Sequence, residues 1–154
     1  MKKTPLNSQQ TILFIGKLTL VFGIFILQGF RSSNTNTLTI KITNLQHSHG
    51  VVEIGLYEKG DCFPTPGKQF KKGRATINGN TATYKFKGLK DGDYAIAAYH
   101  DENGDKYCNK NLFGVPTEAF AFSNNIRPFL SPPKFKSCRF WVTGNRTLSI
   151  KMVY

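Results

Sequence analysis

Lys90-Asp91-Gly92-Asp93-Tyr94-Ala95-Ile96-Ala97-Ala98-Tyr99-His100-Asp101 decides how this chain is read. The first four residues make a strong turn. The next six are apolar on both faces, the composition of a central strand with neighbours on either side. Strands of plainer alternation surround it. Leu38, Ile40 and Ile42 alternate with Thr39, Lys41 and Thr43, so one face is buried and the other wet. After a hairpin turn at 44–50, Val52, Ile54 and Leu56 alternate with Glu53 and Gly55. Asn78-Gly79-Asn80 suits a tight hairpin turn needing positive φ, and leads into Ala82, Tyr84 and Phe86. Near the C-terminus, Cys138–Val142 and Thr147–Met152 flank the turn Thr143-Gly144-Asn145-Arg146. No segment beyond the N-terminal region sustains the apolar period of about 3.6 residues that a helix needs. The pattern predicts an all-β fold, a two-sheet antiparallel sandwich of about seven strands, transthyretin-like or immunoglobulin-like.

The 154 residues suffice for a leader and one domain, and a hydrophobic content of 40% argues for a real core. Lys2 and Lys3 precede the apolar run Leu18–Leu27, which fits a signal-peptide core and is short for a membrane span. Extending the run back through Thr11–Gly16 would place Lys17 in mid-membrane at a cost of about 3 kcal/mol. Residues 1–33 are therefore expected to form an N-terminal signal helix, cleaved or retained as an anchor, and 34–154 a single β domain, exported to the periplasm or beyond.

The formal net charge is +12. Without Lys2, Lys3, Lys17 and Arg31, 17 basic residues stand against 9 acidic ones, a net +8. The lysines are scattered through strands and turns with no arginine cluster, the pattern of a solvated basic surface. Nucleic acid is thus not an expected partner, and membrane contact is expected only through an uncleaved leader.

The long segment after the central strand carries the chemistry. Asp101, Asn103, Asp105, the Tyr107 carbonyl and Asn109 fall at positions 1, 3, 5, 7 and 9 of a calcium-loop template. The template fails where Lys106 replaces the turn glycine and where Leu112 replaces the closing carboxylate. An Asx-rich turn, with Asp101, Asn103 and Asn109 bonding backbone amides, is the favoured reading, and no cofactor is expected beyond a weak calcium site. Leu112, Phe113, Phe120, Phe122 and Phe129 either line a groove for a sugar or peptide or plug the end of a sandwich. Phe113, Phe120, Phe122, Asn124 and Asn125 are the candidate binding residues. His47 and His49 share a turn with one residue between them, a spacing open to one metal, but no further histidine or cysteine is near in sequence, so a solvated turn is expected. His100 abuts Asp101, yet no serine or cysteine nucleophile is tied to the pair by any motif. Three cysteines leave one unpaired in an exported chain. Cys138, on a strand face with Phe140 and Val142, is expected to be a buried thiol, which leaves Cys62 and Cys108 as a candidate disulfide.

The ordered motifs Gly55-Leu56-Tyr57, Phe63-Pro64, Gly88-Leu89, Gly92-Asp93-Tyr94-Ala95, His100-Asp101-Glu102-Asn103-Gly104, Phe113-Gly114-Val115-Pro116 and Phe122-Ser123-Asn124-Asn125 resemble the bacterial secreted family catalogued as domain of unknown function 2141. The resemblance spans about residues 38 to 154. It implies an exported β-sandwich akin to transthyretin-like and carboxypeptidase-regulatory-like modules, and no activity. The chain departs from the family pattern at Lys106, where glycine is common, and at Asn109, where aspartate is common. The expected function is a non-enzymatic exported module that binds a glycan, peptide or envelope partner through the 101–125 loop. The alternatives are a calcium-stabilised structural protein of the envelope and a hydrolase using His100 and Asp101.

Export yields a direct expectation. N-terminal sequencing of the fractionated protein should find a start between Gly29 and Asn34 in an exported pool. An intact Met1 in a soluble cytoplasmic pool would overturn it.

Overall fold

The computed structural model describes residues 35–129 and 131–154; the expected leader over 1–33 lies outside the described residues. Eight strands follow in chain order: β1 (Asn36–Thr43), β2 (Val51–Tyr57), β3 (Lys71–Asn78), β4 (Thr81–Leu89), β5 (Gly92–Asp101), β6 (Phe120–Phe122), β7 (Phe140–Val142) and β8 (Arg146–Lys151). A 3-10 turn at Ser123–Asn125 and a one-turn helix, α1 (Phe135–Cys138), are the helical elements among the described residues.

The strands form one mixed sheet in the order β6-β5-β2-β3-β4-β1-β8, with β7 also on β5. β1 lies antiparallel to β4 and parallel to β8. The β3–β4 hairpin keeps Ile77 opposite Ala82 and Asn78 opposite Thr81, so the two halves of the sheet stay joined at a corner. At the other margin, Val153 and Phe120 exchange backbone hydrogen bonds of 2.9 and 3.0 Å, linking the chain after β8 to β6. The expected pair of sheets is thus a single sheet nearly closed into a barrel. β1 and β2 are not a hairpin: β1 pairs with β4 and β8, β2 with β3 and β5, and the turn between them crosses from one half of the sheet to the other.

The core follows the alternation in the sequence. Leu38, Ile40, Ile42, Val52, Ile54, Leu56, Ile96 and Ile150 are buried inside the sheet, with Tyr94, Phe86, Phe140 and Met152 filling the space among them. β3 contributes only Gly73, Ala75 and Ile77 on this face. A Cβ on Gly73 would come within 2.5 Å of the Tyr84 ring, so the missing side chain is what admits the tyrosine. A second, smaller cluster covers the other face of β5, where Tyr57, Phe63, Ala95 and Cys138 are buried beneath the 60–65 turn and α1. That cover explains why β5 is apolar on both faces. It also moves Cys138: the residue ends α1 inside this second cluster and does not share a strand face with Phe140 and Val142.

β5 pairs with β2 along one edge. Its other edge is shared, with β7 opposite Gly92–Tyr94 and β6 opposite Ala97–Tyr99. The gap falls at Ile96, and buried Ser123 fills it. Its hydroxyl accepts from the Ile96 N–H at 2.9 Å and donates to the Cys138 carbonyl at 2.6 Å. Replacing Ser123 with Ala leaves both backbone groups buried without partners, at a cost of about 1–3 kcal/mol. Thermal unfolding of Ser123→Ala should show a fall in melting temperature of roughly 5–10 °C; an unchanged transition would remove Ser123 from this role.

Candidate functional site

The end of β5 sends two neighbouring side chains to opposite faces of the sheet. Asp101 is fully buried on the outer side, where its Oδ1 accepts from the Gly104 N–H at 2.8 Å and its Oδ2 from the Lys106 N–H at 3.1 Å. The Asn103 Oδ1 accepts from the Asp105 N–H at 3.0 Å, and the Asp105 Oδ1 from the Tyr107 N–H at 2.8 Å. That amide, with the side chains of Asn103 and Asn109, holds the Asp105 carboxyl below the usual carboxylate range. Asp101, Asn103 and Asp105 therefore form a chain of Asx turns whose oxygens serve the loop's own amides, whereas the Asn109 side chain, expected to bond a backbone amide, meets the Asp105 carboxylate instead. Lys106 takes φ 69°, the left-handed conformation that a glycine there would adopt without strain.

The far limb of the loop is clipped to the near one by Glu118. Its Oε1 accepts from the Glu102 N–H at 3.2 Å and its Oε2 from the Asn109 N–H at 3.0 Å. Glu118 is buried, and nothing local in the sequence marks it beyond a lone acid just ahead of an apolar run. Beyond it, the Asn111 Oδ1 accepts from the amides of Phe113 and Val115 and sets the tip. The tip is apolar and open to solvent: Leu112 is 101% exposed, Phe113 91%, Tyr107 73% and Val115 55%.

The candidate binding residues separate. Phe113 stands at this tip, whereas Phe120 and Phe122 are half-buried on β6 and pack on each other at 5.9 Å, Phe122 also meeting Phe63 edge-on at 6.0 Å. Asn124 donates to the carbonyls of Ser137 and Arg139 at 3.1 and 3.0 Å, and the Asn125 Oδ1 accepts from the Lys151 N–H at 2.8 Å. Both asparagines sit at positive φ and tie the turn after β6 to α1 and β8. The phenylalanines thus form no single groove, and the two amides serve the fold.

The histidines are brought together from distant parts of the chain. The 44–50 turn lays the His47 ring 4.8 Å from that of His100, with His49 at 5.5 Å from His47. Gly50, at φ 71°, makes this possible, since a Cβ there would lie 2.1 Å from the Asp101 carbonyl oxygen. His100 is fully buried; its Nε2 donates to the His49 carbonyl at 2.7 Å, and its Nδ1 lies 3.6 Å from Glu102 Oε1. Glu102 Oε2 is 3.3 Å from the His47 Nε2. His100 and Asp101 share no hydrogen bond, as their side chains face opposite ways.

Cys62, Cys108 and Cys138 are all free thiols. Cys62 packs against the cluster around Phe63, while Cys108 lies beside Glu118 at the foot of the loop, so the expected pairing of the two is not made here. Burial pushes the Cys138 thiol up to about 11 and raises Cys108 as well, with Glu118 adding to the latter. Neither has the lowered pKa of a catalytic thiolate.

The fold and site define a small all-β module carrying a self-bonded loop at one sheet end. A family model for an uncharacterized protein conserved in bacteria (DUF2141) matches residues 40–150, and the chain belongs to that family. No curated protein and no solved structure matches it.

Asp101→Ala strips partners from the amides of Gly104 and Lys106 and should speed tryptic cleavage after Lys106, whereas Lys106→Gly relieves the strained φ and should raise stability by about 1 kcal/mol. Equal cleavage rates in wild type and Asp101→Ala would contradict the organising role of Asp101.

Proposed function

We propose that the chain is an exported, non-enzymatic binding module of the bacterial envelope, which holds a partner protein or peptide through the tip of the Asp101–Asn125 loop. The observation that carries this is the contrast within the loop. The side-chain oxygens of Asp101, Asn103, Asp105, Asn111 and Glu118 are engaged by the loop's own backbone, while Tyr107, Leu112, Phe113 and Val115 project into solvent. A sugar-binding platform needs free polar groups around its aromatic ring, and here the Asn111 oxygen beside Phe113 is already used twice. Exposed aliphatic and aromatic side chains on a preformed loop instead suit an apolar pocket on a protein, since little conformational entropy is lost when they are buried. Lys106 and Lys110 flank the tip and favour a pocket with an acidic rim. Export rests on Lys2, Lys3 and the Leu18–Leu27 run. The absence of any motif joining a nucleophile, a base and an orienting group supports the non-enzymatic reading.

A photoreactive residue at position 113, compared with one at Lys85 on the exposed face of β4, tests this in cells. A discrete adduct with one envelope protein is expected at 113 alone. With that partner purified, Phe113→Ala and Leu112→Asp should each weaken binding at least ~10-fold, or ~1.4 kcal/mol, with the melting temperature unchanged. Identical adducts at both positions, or undiminished affinity in both variants, would move the binding surface away from this loop.

A further inference from the structure

All three histidines of the chain meet at one end of the sheet beside a carboxylate. We propose that His47, His100 and Glu102 form a binding site for a divalent transition-metal ion of the zinc type, separate from whatever the loop tip binds. Their ligand atoms all lie within 4.8 Å of one another. A tetrahedral ion with bonds of about 2.0–2.1 Å holds its ligand atoms roughly 3.3 Å apart. Glu102 meets the two imidazoles through different oxygens, Oε2 at 3.3 Å from His47 and Oε1 at 3.6 Å from His100. Both separations are near such an edge and longer than a good N–H···O hydrogen bond, and a turn of the carboxylate brings one oxygen to both rings. The remaining edge closes by rotating His47, whose side chain is 38% exposed in a surface turn.

The hydrogen bond of His100 selects the neutral tautomer that metal binding requires. A carbonyl oxygen can only accept, so the Nε2 that faces the His49 carbonyl carries a proton, and in the neutral ring Nδ1 turns its lone pair toward Glu102. A ligating histidine anchored through its other ring nitrogen to a backbone carbonyl is the usual outer-shell arrangement of zinc sites. On His47 the ligating nitrogen is Nε2, which faces Glu102 Oε2; the Nδ1, buried without a hydrogen-bond partner, lies outside the ligand set. Glu102 is steadied through its backbone N–H, which Glu118 accepts.

Two imidazole nitrogens and one carboxylate oxygen suit zinc, cobalt, nickel or copper, whereas calcium and magnesium take oxygen shells. The fourth position is left to a water molecule, to the nearby His49 ring, or to the Tyr154 hydroxyl, which lies 3.4 Å from the His100 Nδ1 and accepts from the Gln46 N–H at 2.9 Å.

The test is titration of the full chain, free of affinity tags and stripped with chelator, with Zn²⁺ by calorimetry and with Co²⁺ by visible absorption. One equivalent of each is expected to bind at micromolar concentration, the cobalt form showing the intense bands of a tetrahedral centre, and Ca²⁺ neither binding there nor displacing it. Glu102→Gln and His47→Ala change partly exposed side chains and leave the buried His100 in place, so both should fold with an unchanged apo melting temperature. Each should weaken Zn²⁺ binding by at least ~10-fold and abolish the tetrahedral bands. No binding of either ion to the wild type, or equal binding to both variants, overturns the site. Loss of the loop-tip partner in the crosslinking experiment would leave this result untouched.

Discussion

One buried hydroxyl fills the break in the second edge of the central strand. β5 needs a partner along both edges because both its faces are covered, and the chain supplies its second edge in two pieces, β6 and β7, that do not meet. A central strand with an orphaned amide in the gap would forfeit about 1–3 kcal/mol of a marginal stability. Ser123 removes that deficit by accepting from Ile96 and donating to Cys138. Its position is in turn fixed by its neighbours: Phe122 packs under Phe63, Asn124 grips the carbonyls around α1, and Asn125 accepts from the last amide of β8. Phe122–Asn125 is therefore the closure of the near-barrel.

Closure at that point has consequences at the C-terminal end of β5. With β2 on one side and β6 on the other, the backbone at His100 and Asp101 has little freedom, and strict alternation sends the imidazole inward and the carboxylate outward. One dipeptide thus supplies two separate centres. Asp101 organises the loop by collecting amides, and His100 meets the turn that crosses from β1. Gly50 is the point of contact between the two, since any side chain there would collide with the Asp101 carbonyl and push the histidine turn away from the strand.

What the sequence made legible were the features governed by local physics. Alternation marked β1, β2 and β4, the two-faced apolar run marked β5 as central, and Asn78-Gly79 marked the hairpin that forms between β3 and β4. The Asx-rich character of the loop was readable too, because such turns close over two or three residues. β3 carries no hydrophobic period because its inward residues begin with Gly73 and Ala75, whose small size makes room for Tyr84. β6 and β7 are only three residues each, too short to show one. The single sheet with its parallel β1–β8 pair depends on which distant strands meet, and alternation carries no information about partners. For the same reason His47 and His49 read as an ordinary turn, since their neighbours His100 and Glu102 lie more than fifty residues away. Asn124 and Asn125 read as surface ligands because the carbonyls that Asn124 satisfies and the Lys151 amide that Asn125 accepts from lie outside their local sequence.

The internal use of so much polar chemistry bears on what the loop can do. Each carboxylate or amide that accepts a backbone N–H inside the loop lowers the entropy of the free state and takes a hydrogen-bonding group away from any ligand. A loop built this way gains affinity from shape and apolar area, and its ordering has already occurred before a partner arrives. The tip residues Leu112 and Phe113 then act as fixed knobs, displayed by Asn111 and by the glycine at 114, whose φ of 77° turns the chain back toward Glu118. Glu102, at the near limb's base and hydrogen-bonded through its N–H to Glu118, belongs to both the histidine cluster and the loop. A cation drawn to the histidines would pull on the same limb that Glu118 clips. The two centres at the end of β5 are separate in chemistry but share that one segment of backbone.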